Sequence, residues 1–153
     1  MFVGDGPMRA ELQARCPQAW FAGQRTGEDL AAHYASADLF LFPSVTETFG
    51  NVTTEAMASG LAVVAYDYAA AARFIRSGTN GVLVPFDDAE AYVAAAARTA
   101  ADLAGCRVLG ARARETAREL DWEGVVVQFE GVLASVLREA GQPASDLAAV
   151  AVA

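Results

Sequence analysis

The chain has 153 residues, 54% of them hydrophobic, and a formal net charge of −8, and arginine supplies all eleven of its basic residues. Its length fits one domain, and its apolar content excludes a disordered chain. The acidic balance disfavours nonspecific binding to nucleic acid, and we expect neither a membrane-spanning run nor a signal peptide. The two cysteines, Cys16 and Cys106, lack the spacing of metal ligands and suit a reducing compartment, so we expect a cytoplasmic protein.

Short apolar runs alternate with segments of helical character along the chain. Strands are predicted at Phe2-Val3, Ala19 to Ala22, Leu39 to Phe42, Leu61 to Ala65 and Val82 to Val84. Helices are predicted at about 8–15, 28–35, 51–59, 69–76, 89–103, 107–120 and 123–139. The fourth strand is apolar throughout, as expected where both faces of a sheet are covered. This alternation predicts an α/β fold with a doubly wound parallel sheet.

The most informative segment extends from Asp38 to Gly60. An apolar strand leads into an acidic loop that contains Gly50, and a short helix follows. Two glutamates, Glu47 and Glu55, lie eight positions apart across the junction between loop and helix. Such a junction presents carboxylates and free helix-end amides to a polar ligand that carries phosphate.

Several segments occur together in the order and spacing of one known family. They are Val3-Gly4-Asp5-Gly6-Pro7, Phe21-Ala22-Gly23, Ala37-Asp38 through Pro43-Ser44, Glu47-Thr48-Phe49-Gly50-Asn51, Glu55-Ala56-Met57-Ala58-Ser59-Gly60, Val63-Val64-Ala65 and Gly78-x-Asn80-Gly81-x-Leu83-Val84. Over about residues 2–139 the chain resembles the retaining glycosyltransferases of the GT-B fold, in particular the large family with bacterial mannosyl-, glucosyl- and sulfoquinovosyltransferases. The resemblance implies the Rossmann-like C-terminal half of that fold. The run from Glu47 to Thr53 resembles members that glycosylate lipids.

The resemblance implies that this domain binds the nucleotide-sugar donor. Glu47, the implied catalytic residue, would accept hydrogen bonds from the hydroxyls of the donor sugar. Glu55 would accept them from the ribose hydroxyls, because a carboxylate with two oxygens matches a vicinal diol. The other implied donor-binding residues lie at the helix start and at the nucleoside end: Phe49, Gly50, Asn51, Gly4, Gly6, Gly23 and Gln24.

The implied reaction moves a hexose from a GDP- or UDP-linked donor to a lipid or sugar acceptor with retention of configuration. Its main requirement is electrostatic stabilisation of the departing diphosphate. The resemblance implies no cofactor, and the chain has no Asp-x-Asp pattern for a metal. The acceptor would be bound mainly by an N-terminal domain, with peripheral association of the full-length enzyme at the inner face of the membrane.

The chain departs from the family pattern mainly in length. Family members carry a separate acceptor domain, and their donor domain opens with a strand and helix bearing an arginine and a lysine for the diphosphate. We therefore expect residues 1–140 to be an incomplete donor-binding domain without its first strand, 141–153 to be a flexible tail, and the isolated chain to be inactive. The additional strand would be central, between the strands that end at Val3 and Phe42.

Other interpretations stay open. The chain could be a noncatalytic nucleotide-sugar-binding or protein-interaction remnant, or another GT-B enzyme such as an epimerase or a glycogen phosphorylase. Individual residues also have structural interpretations. Glu47 could be a solvated loop acid and Glu55 a helix-surface residue, Gly4 and Gly6 could be turn glycines, and Phe49 could pack the loop.

Overall fold

The computed structural model describes residues 1–120 and 122–140. The tail predicted for 141–153 lies outside the described residues. The chain divides into two units, Met1–Thr116 and Ala117–Ala153. Among the described residues, no helix is both long enough and apolar enough to cross a membrane.

The first unit alternates strands and helices, as the sequence predicts. Its elements are β1 (Phe2–Val3), α1 (Arg9–Arg15), β2 (Phe21–Gly23), α2 (Gly27–Ala35), β3 (Leu39–Phe42), α3 (Asn51–Ala58), β4 (Ala62–Tyr66), α4 (Ala69–Phe74), β5 (Val82–Val84), α5 (Ala89–Ala101) and α6 (Leu103–Arg118), whose last residues pass the boundary. The second unit contains α7 (Trp122–Glu139).

All strand pairs in the first unit are parallel, which confirms the predicted α/β class. The strands form two sheets rather than one: β1 pairs with β2, and β3, β4 and β5 pair in that order. In the larger sheet Leu39 lies opposite Ala62, and Val64 lies opposite Val82. The division falls between β1 and β3, the position at which the resemblance predicts a further strand.

The hydrophobic core is centred on β4. Every residue of β4 is buried, because the strand has a partner on each side and helices pack against it. Tyr92 of α5 lies in this core and donates a hydrogen bond from its hydroxyl to the carbonyl oxygen of Val64, at 3.1 Å. Met57 of α3 and Leu61 are also fully buried. The core therefore fixes α3 and the end of β4, which flank the loop after β3.

Several element boundaries differ from the sequence prediction by one to four residues. The helix predicted at 89–103 ends at Ala101, and α6 begins at Leu103 rather than near Arg107. The reason is local, since the carboxylate of Asp102 accepts a hydrogen bond from the amide of Gly105, at 2.8 Å, and so begins a new helix. The second strand begins at Phe21, because the amide of Ala19 still donates to the carbonyl of Cys16 in the turn after α1.

Asn80, within the Gly78-x-Asn80-Gly81 segment, is a buried structural residue. Its side-chain oxygen accepts from the amide of Arg76 at 2.6 Å, and its side-chain nitrogen donates to the carbonyl of Phe74 and the hydroxyl of Thr116, each at 3.0 Å. These bonds hold the turn after α4 against α6.

Candidate functional site

The loop after β3 depends on glycine at its last position. Gly50 has φ 95° and ψ 45°, a left-handed conformation that favours glycine. A Cβ atom there would lie 3.2 Å from the Cβ of Ala70, which is closer than most side chains tolerate. Gly50 therefore allows the loop backbone to approach α4 and to turn directly into α3.

The carboxylate of Glu47 lies beside this glycine. Glu47 is half-buried, and its Oε2 lies 3.6 Å from the position that a Cβ on Gly50 would take. With Ser44 and Gly50 it lines a small pocket whose other wall is formed by residues 68–71 after β4. A half-buried carboxylate at the start of a helix can accept hydrogen bonds from the hydroxyls of a bound ligand.

The start of α3 has no side-chain cap. Its N-cap residue is Gly50, which carries no side chain, and no other side chain in the described residues caps it. The amide of Thr53 donates to the carbonyl of Gly50, at 3.0 Å. The helix therefore begins at Asn51, as predicted, with its partial positive charge directed toward the loop.

Phe49 packs the loop through its side chain. Its ring lies edge-on to the ring of Phe74, with centroids 6.2 Å apart, and its carbonyl accepts from the amide of Ala70 at 3.1 Å. The side chain of Phe49 therefore takes part in packing the loop. The side chain is still 49% exposed, so the packing against Phe74 covers only part of it.

Glu55 is exposed on α3 and has a partner that the sequence analysis does not assign. The hydroxyl of Tyr34, on α2, donates to Oε2 of Glu55 at 3.2 Å. Burial raises the pKa of Tyr34 to about 12, and the negative charge of Glu55 adds to the increase. The only sequence signal for Tyr34 is its place on the apolar face of α2.

Glu47 and Glu55 share no hydrogen bond in the described part of the chain. Glu47 lines the small pocket, whereas Glu55 bonds to Tyr34, which lines a larger cleft. Phe42, the last residue of β3, lines both cavities and so joins the two regions. Neither carboxylate is buried against hydrocarbon.

The turns after β1 and β2 bring a second set of predicted residues together. The amide of Gly4 donates to the carbonyl of Gly23 at 2.8 Å, and both glycines have positive φ, 125° and 76°. Gly4 and Gln24 line the larger cleft. Gly6 does not line this cleft, and its amide donates within its own turn to Oδ1 of Asp5, at 2.9 Å.

Arg9 brings a positive charge to these turns. Its Nη1 pairs with Oδ2 of Asp5 at 2.8 Å, and it lies 3.4 Å from the position that a Cβ on Gly23 would take. The amide of Gly6 and then the guanidinium of Arg9 hold the pKa of Asp5 below its usual value. Arg9 is a candidate anion-binding group that the sequence analysis does not single out.

The loop after β4 also contributes residues that the sequence analysis does not assign to the site. Tyr68, Ala69 and Ala70 line the pocket of Glu47, and Ala69 has a positive φ of 49°, which is unusual for alanine. The signal available in the sequence is topological. Parallel strands end at one edge of a sheet, so the loop after β4 has to lie beside the loop after β3.

No group of three or more histidine, cysteine or acidic side chains that could hold a metal ion occurs among residues 1–120 and 122–140. The groups available to a ligand in the described residues include carboxylates, backbone amides, Arg9, and the side chains of Gln24 and Arg25, which line the larger cleft.

Comparison with known proteins places this chain in a family. A model described as "Glycosyl transferases group 1" matches residues 1–102. The chain belongs to this family. It is 36% identical over 129 residues to a GDP-mannose-dependent alpha-mannosyltransferase of Corynebacterium glutamicum, covering 84% of this chain and 31% of that protein. It is 34% identical to the sulfoquinovosyl transferase SQD2 of Arabidopsis thaliana, covering 84% of this chain and 26% of that protein.

Solved structures of glycosyltransferases have the same fold. The sucrose-phosphate synthase of Thermosynechococcus elongatus superposes with a TM-score of 0.71 at 32% identity, over 90% of this chain and 38% of that chain. Anabaena Alr3699/HepE, in complex with UDP-glucose, gives a TM-score of 0.70 at 25% identity, over 87% of this chain and 40% of that one. These matches confirm the GT-B architecture. The chain spans about a quarter to a third of the length of the curated relatives named here.

Proposed function

We propose that residues 1–140 form the donor-binding part of a retaining glycosyltransferase that moves a hexose from a GDP- or UDP-linked donor to a lipid or sugar acceptor. One observation carries the proposal: the carboxylate of Glu47 lies beside Gly50, where the uncapped helix α3 begins. The carboxylate can accept hydrogen bonds from sugar hydroxyls, and the helix start beside it can bind phosphate. In a nucleotide sugar the sugar and the diphosphate are likewise next to each other.

In this proposal each part of the site binds one part of the donor. Glu47 accepts from the sugar hydroxyls, and the amides of Phe49, Gly50 and Asn51 face the diphosphate. The helix dipole favours that negative charge by about 0.3–1 kcal/mol. Glu55, held by Tyr34, accepts from the ribose hydroxyls, and the turns at Gly4, Gly6, Gly23 and Gln24 receive the nucleoside.

The similar proteins support both donor classes in this proposal, GDP-linked and UDP-linked sugars. One relative is named as GDP-mannose-dependent, and one structural neighbour contains UDP-glucose. The proposal therefore includes both a GDP-linked and a UDP-linked donor, and it does not specify the sugar. The acceptor, lipid or glycan, would be bound by an N-terminal domain outside this chain, with peripheral membrane association of the full-length enzyme.

We expect the isolated chain to bind donor weakly and to have no transferase activity. Calorimetric titration with GDP-mannose, UDP-glucose, GDP and UDP tests binding. Glu47→Gln should weaken binding of the sugar nucleotides about tenfold to a hundredfold while changing GDP and UDP binding little, because one charge-assisted hydrogen bond contributes about 1.5–3 kcal/mol. Glu119→Gln, a change at an exposed acid outside the site, is the matched control for net charge.

Three outcomes would overturn parts of this proposal. Binding that Glu47→Gln leaves unchanged would remove the role of Glu47. Lack of binding to all four compounds would favour the alternative, a remnant that serves another interaction. Turnover by the isolated chain in a radiolabelled transfer assay would contradict the expected inactivity.

A further inference from the structure

Two exposed aromatic side chains lie at the carboxyl ends of neighbouring strands. Tyr68 is the second residue after β4, and Phe86 is the second residue after β5. Their ring centroids are 4.8 Å apart, and the ring planes are tilted by 46°. Tyr68 is 38% exposed and Phe86 is 49% exposed, although β4 itself is buried. Tyr68 and Phe86 together form what we call the aromatic shelf.

The aromatic shelf rests on the hydrophobic core. The ring of Phe86 lies edge-on to the ring of Tyr66, with centroids 6.1 Å apart. The ring of Tyr66 in turn packs against that of Tyr92 at 5.2 Å, and both tyrosines are buried. An exposed aromatic pair that is supported by a buried pair is suited to a preformed binding surface.

The backbone beside the aromatic shelf is strained. Within the described residues, two residues other than glycine have a positive φ, and each directly follows a member of the shelf. Ala69, with φ 49°, follows Tyr68, and Asp87, with φ 60°, follows Phe86. Alanine rarely adopts this conformation. Such strain persists only where the surrounding structure holds it, and it clusters at binding sites, so it indicates a function for this edge of the sheet.

Tyr68 connects the aromatic shelf to the candidate site. It lines the same small pocket as Glu47 and Gly50. The loop that carries Tyr68 is fixed at this place, because the amide of Ala70 donates to the carbonyl of Phe49 at 3.1 Å. A ligand that extends from the pocket past the loop after β4 therefore contacts the shelf.

The charges around the aromatic shelf disfavour an anionic ligand. Three exposed carboxylates, those of Asp67, Asp87 and Asp88, lie within two residues of the shelf in sequence. None of the three forms an ion pair with the described residues. The arginine that follows in α4, Arg73, lies over the ring of Phe74 instead. A phosphate would be repelled here, whereas neutral hydroxyls can donate to the carboxylates.

Aromatic rings beside carboxylates match the pyranose ring of a neutral sugar. One face of a pyranose presents C–H groups, which are apolar and weakly positive, and such groups pack on the negative face of an aromatic ring. The hydroxyls around the edge of the pyranose then reach the carboxylates that surround the aromatic rings. The phosphate of an anionic phospholipid would instead meet Asp67 and Asp87.

We propose that the aromatic shelf is a binding subsite for a neutral pyranose of the acceptor, so that the acceptor is a glycoside rather than an anionic phospholipid. The inference rests on the proposed function, because the acceptor has to meet the donor sugar at the pocket of Glu47. Tyr68, which lines that pocket, contacts the acceptor sugar nearest the donor, and Phe86 extends the contact away from the pocket.

Saturation-transfer difference NMR on the 153-residue chain tests this subsite. The probes are methyl α-D-glucopyranoside and methyl α-D-mannopyranoside, and sorbitol, which has hydroxyls but no ring, is the negative control. Irradiation of the aromatic protons of the protein should saturate the ring protons of the pyranosides and leave sorbitol unaffected. Phe86→Ala should weaken pyranoside binding about fivefold or more, because it removes one stacking surface.

Matched variants separate the aromatic shelf from other exposed rings. Tyr68→Phe keeps the ring and should keep most of the binding, whereas Tyr68→Ala should weaken it as Phe86→Ala does. Trp20→Ala removes a 60% exposed ring from the residue before β2, and it should leave pyranoside binding unchanged. Circular dichroism checks the folding of each variant. If Phe86→Ala is unfolded, Phe86→Leu, which keeps an apolar side chain but no ring, takes its place.

Glu47→Gln distinguishes failure of this inference from failure of the proposed function. Binding that depends on Tyr68 and Phe86 and survives Glu47→Gln, in a chain that binds sugar nucleotides, supports the subsite. Binding that Glu47→Gln abolishes and Phe86→Ala retains would place the pyranoside at the donor position and overturn the subsite. Nucleotide binding without pyranoside binding would overturn the subsite alone. Pyranoside binding on the shelf without nucleotide binding would overturn the role as an acceptor subsite together with the proposed function.

Charged probes test the choice of a neutral sugar. Glycerol 3-phosphate and inositol 1-phosphate represent the headgroups of anionic lipids, and choline represents a cation over the rings. None of the three should receive saturation that depends on Phe86. Saturation of either phosphate that Phe86→Ala abolishes would assign the aromatic shelf to an anionic lipid, and the same result with choline would assign it to a cation. Either outcome would overturn the assignment to a glycoside.

Discussion

The two sheets of the first unit are built from similar apolar sequences but differ in burial. Val64, in β4, is fully buried, whereas Val3, in β1, is 39% exposed. Both are valines in parallel strands. The difference is that β4 has a strand on each side and β1 has only one partner in the described residues. An apolar run therefore predicts a strand, but the burial of that strand depends on neighbours from other parts of the sequence.

The comparison extends to the candidate site. Glu47 and Gly50 lie against the well-packed sheet, where α3 and α4 are fixed by the core. Gly4 and Gln24 border the open cleft. The proposed sugar and diphosphate end thus packs against the buried core, whereas the proposed nucleoside end borders the open cleft. The following substitutions test this contrast, beginning with the largest expected effect.

Gly110→Ala against Gly6→Ala should give the largest difference in stability. A Cβ on Gly110 would overlap the backbone carbonyl of Gly60 and contact Leu61, next to β4, whereas a Cβ on Gly6 meets nothing within 4 Å. We expect Gly110→Ala to lower the free energy of unfolding by about 3 kcal/mol or more, and Gly6→Ala to change it by less than about 0.5 kcal/mol. Urea denaturation measures both. Equal losses of unfolding free energy in the two variants would show that Gly110 is no more closely packed than Gly6.

Val64→Ala and Val3→Ala compare the same substitution in the two sheets. Removing two buried methyl groups at Val64 should cost about 2 kcal/mol, including the cavity left behind. At Val3 the loss should be under about 1 kcal/mol, because much of the side chain is already in water. Denaturation midpoints at equal m-values give the comparison. A larger loss at Val3 would mean that β1 is buried in solution.

Much of this fold could be predicted from local sequence. The bounds of β3 and β5 match the prediction, and α3 begins at Asn51 as expected, because apolar runs bordered by proline and glycine define these elements. A break between α5 and α6 was predicted, but after Leu103 rather than at Asp102. There the side chain of Asp102 competes with a helical pattern that continues on both sides.

The candidate site was predictable only in part. The loop with Glu47 and Gly50 can be recognised from its own residues. Tyr34, Tyr68 and Ala69 cannot, since each reaches the site through the fold: one from a neighbouring helix and two from the end of the next strand. A site residue that lies outside any recognisable motif can be identified only from the fold, which shows which elements and strand ends lie next to one another.

Gly50→Ala and Gly78→Ala separate backbone strain from close contact. Both glycines have positive φ, 95° and 79°, so alanine costs about 1–2 kcal/mol at either position. Only at Gly50 would the new Cβ also press on Ala70, at 3.2 Å. We expect Gly50→Ala to be the less stable variant, by about 1 kcal/mol, and to bind sugar nucleotides more weakly in calorimetry. Equal binding by the two variants would show that the loop of Gly50 does not contact the donor.

The hydrogen bond between Tyr34 and Glu55 should give the smallest effect, visible as a dependence on pH. The pKa of Tyr34 is about 12 in the folded chain, above the ordinary value of 10.0, because of burial and then the charge of Glu55. A raised pKa means that the folded state keeps its proton when the unfolded state has lost it. The contribution of Tyr34 to stability is therefore complete below about pH 10 and is lost between about pH 10 and pH 12.

Tyr34→Phe isolates this contribution. The stability difference between the unmodified chain and Tyr34→Phe should be larger at about pH 9 than at about pH 11, measured by urea denaturation. Glu55→Gln should lower the pKa of Tyr34 and so narrow the pH range over which its contribution to stability is lost. It should not remove this pH dependence, because burial is the larger cause of the raised pKa. A difference that is constant over this range would show that the pKa of Tyr34 is not raised. A pH dependence that Glu55→Gln leaves unchanged would show that Tyr34 is not held against Glu55, and Glu55 would then lack the positioning that the proposed ribose contact requires.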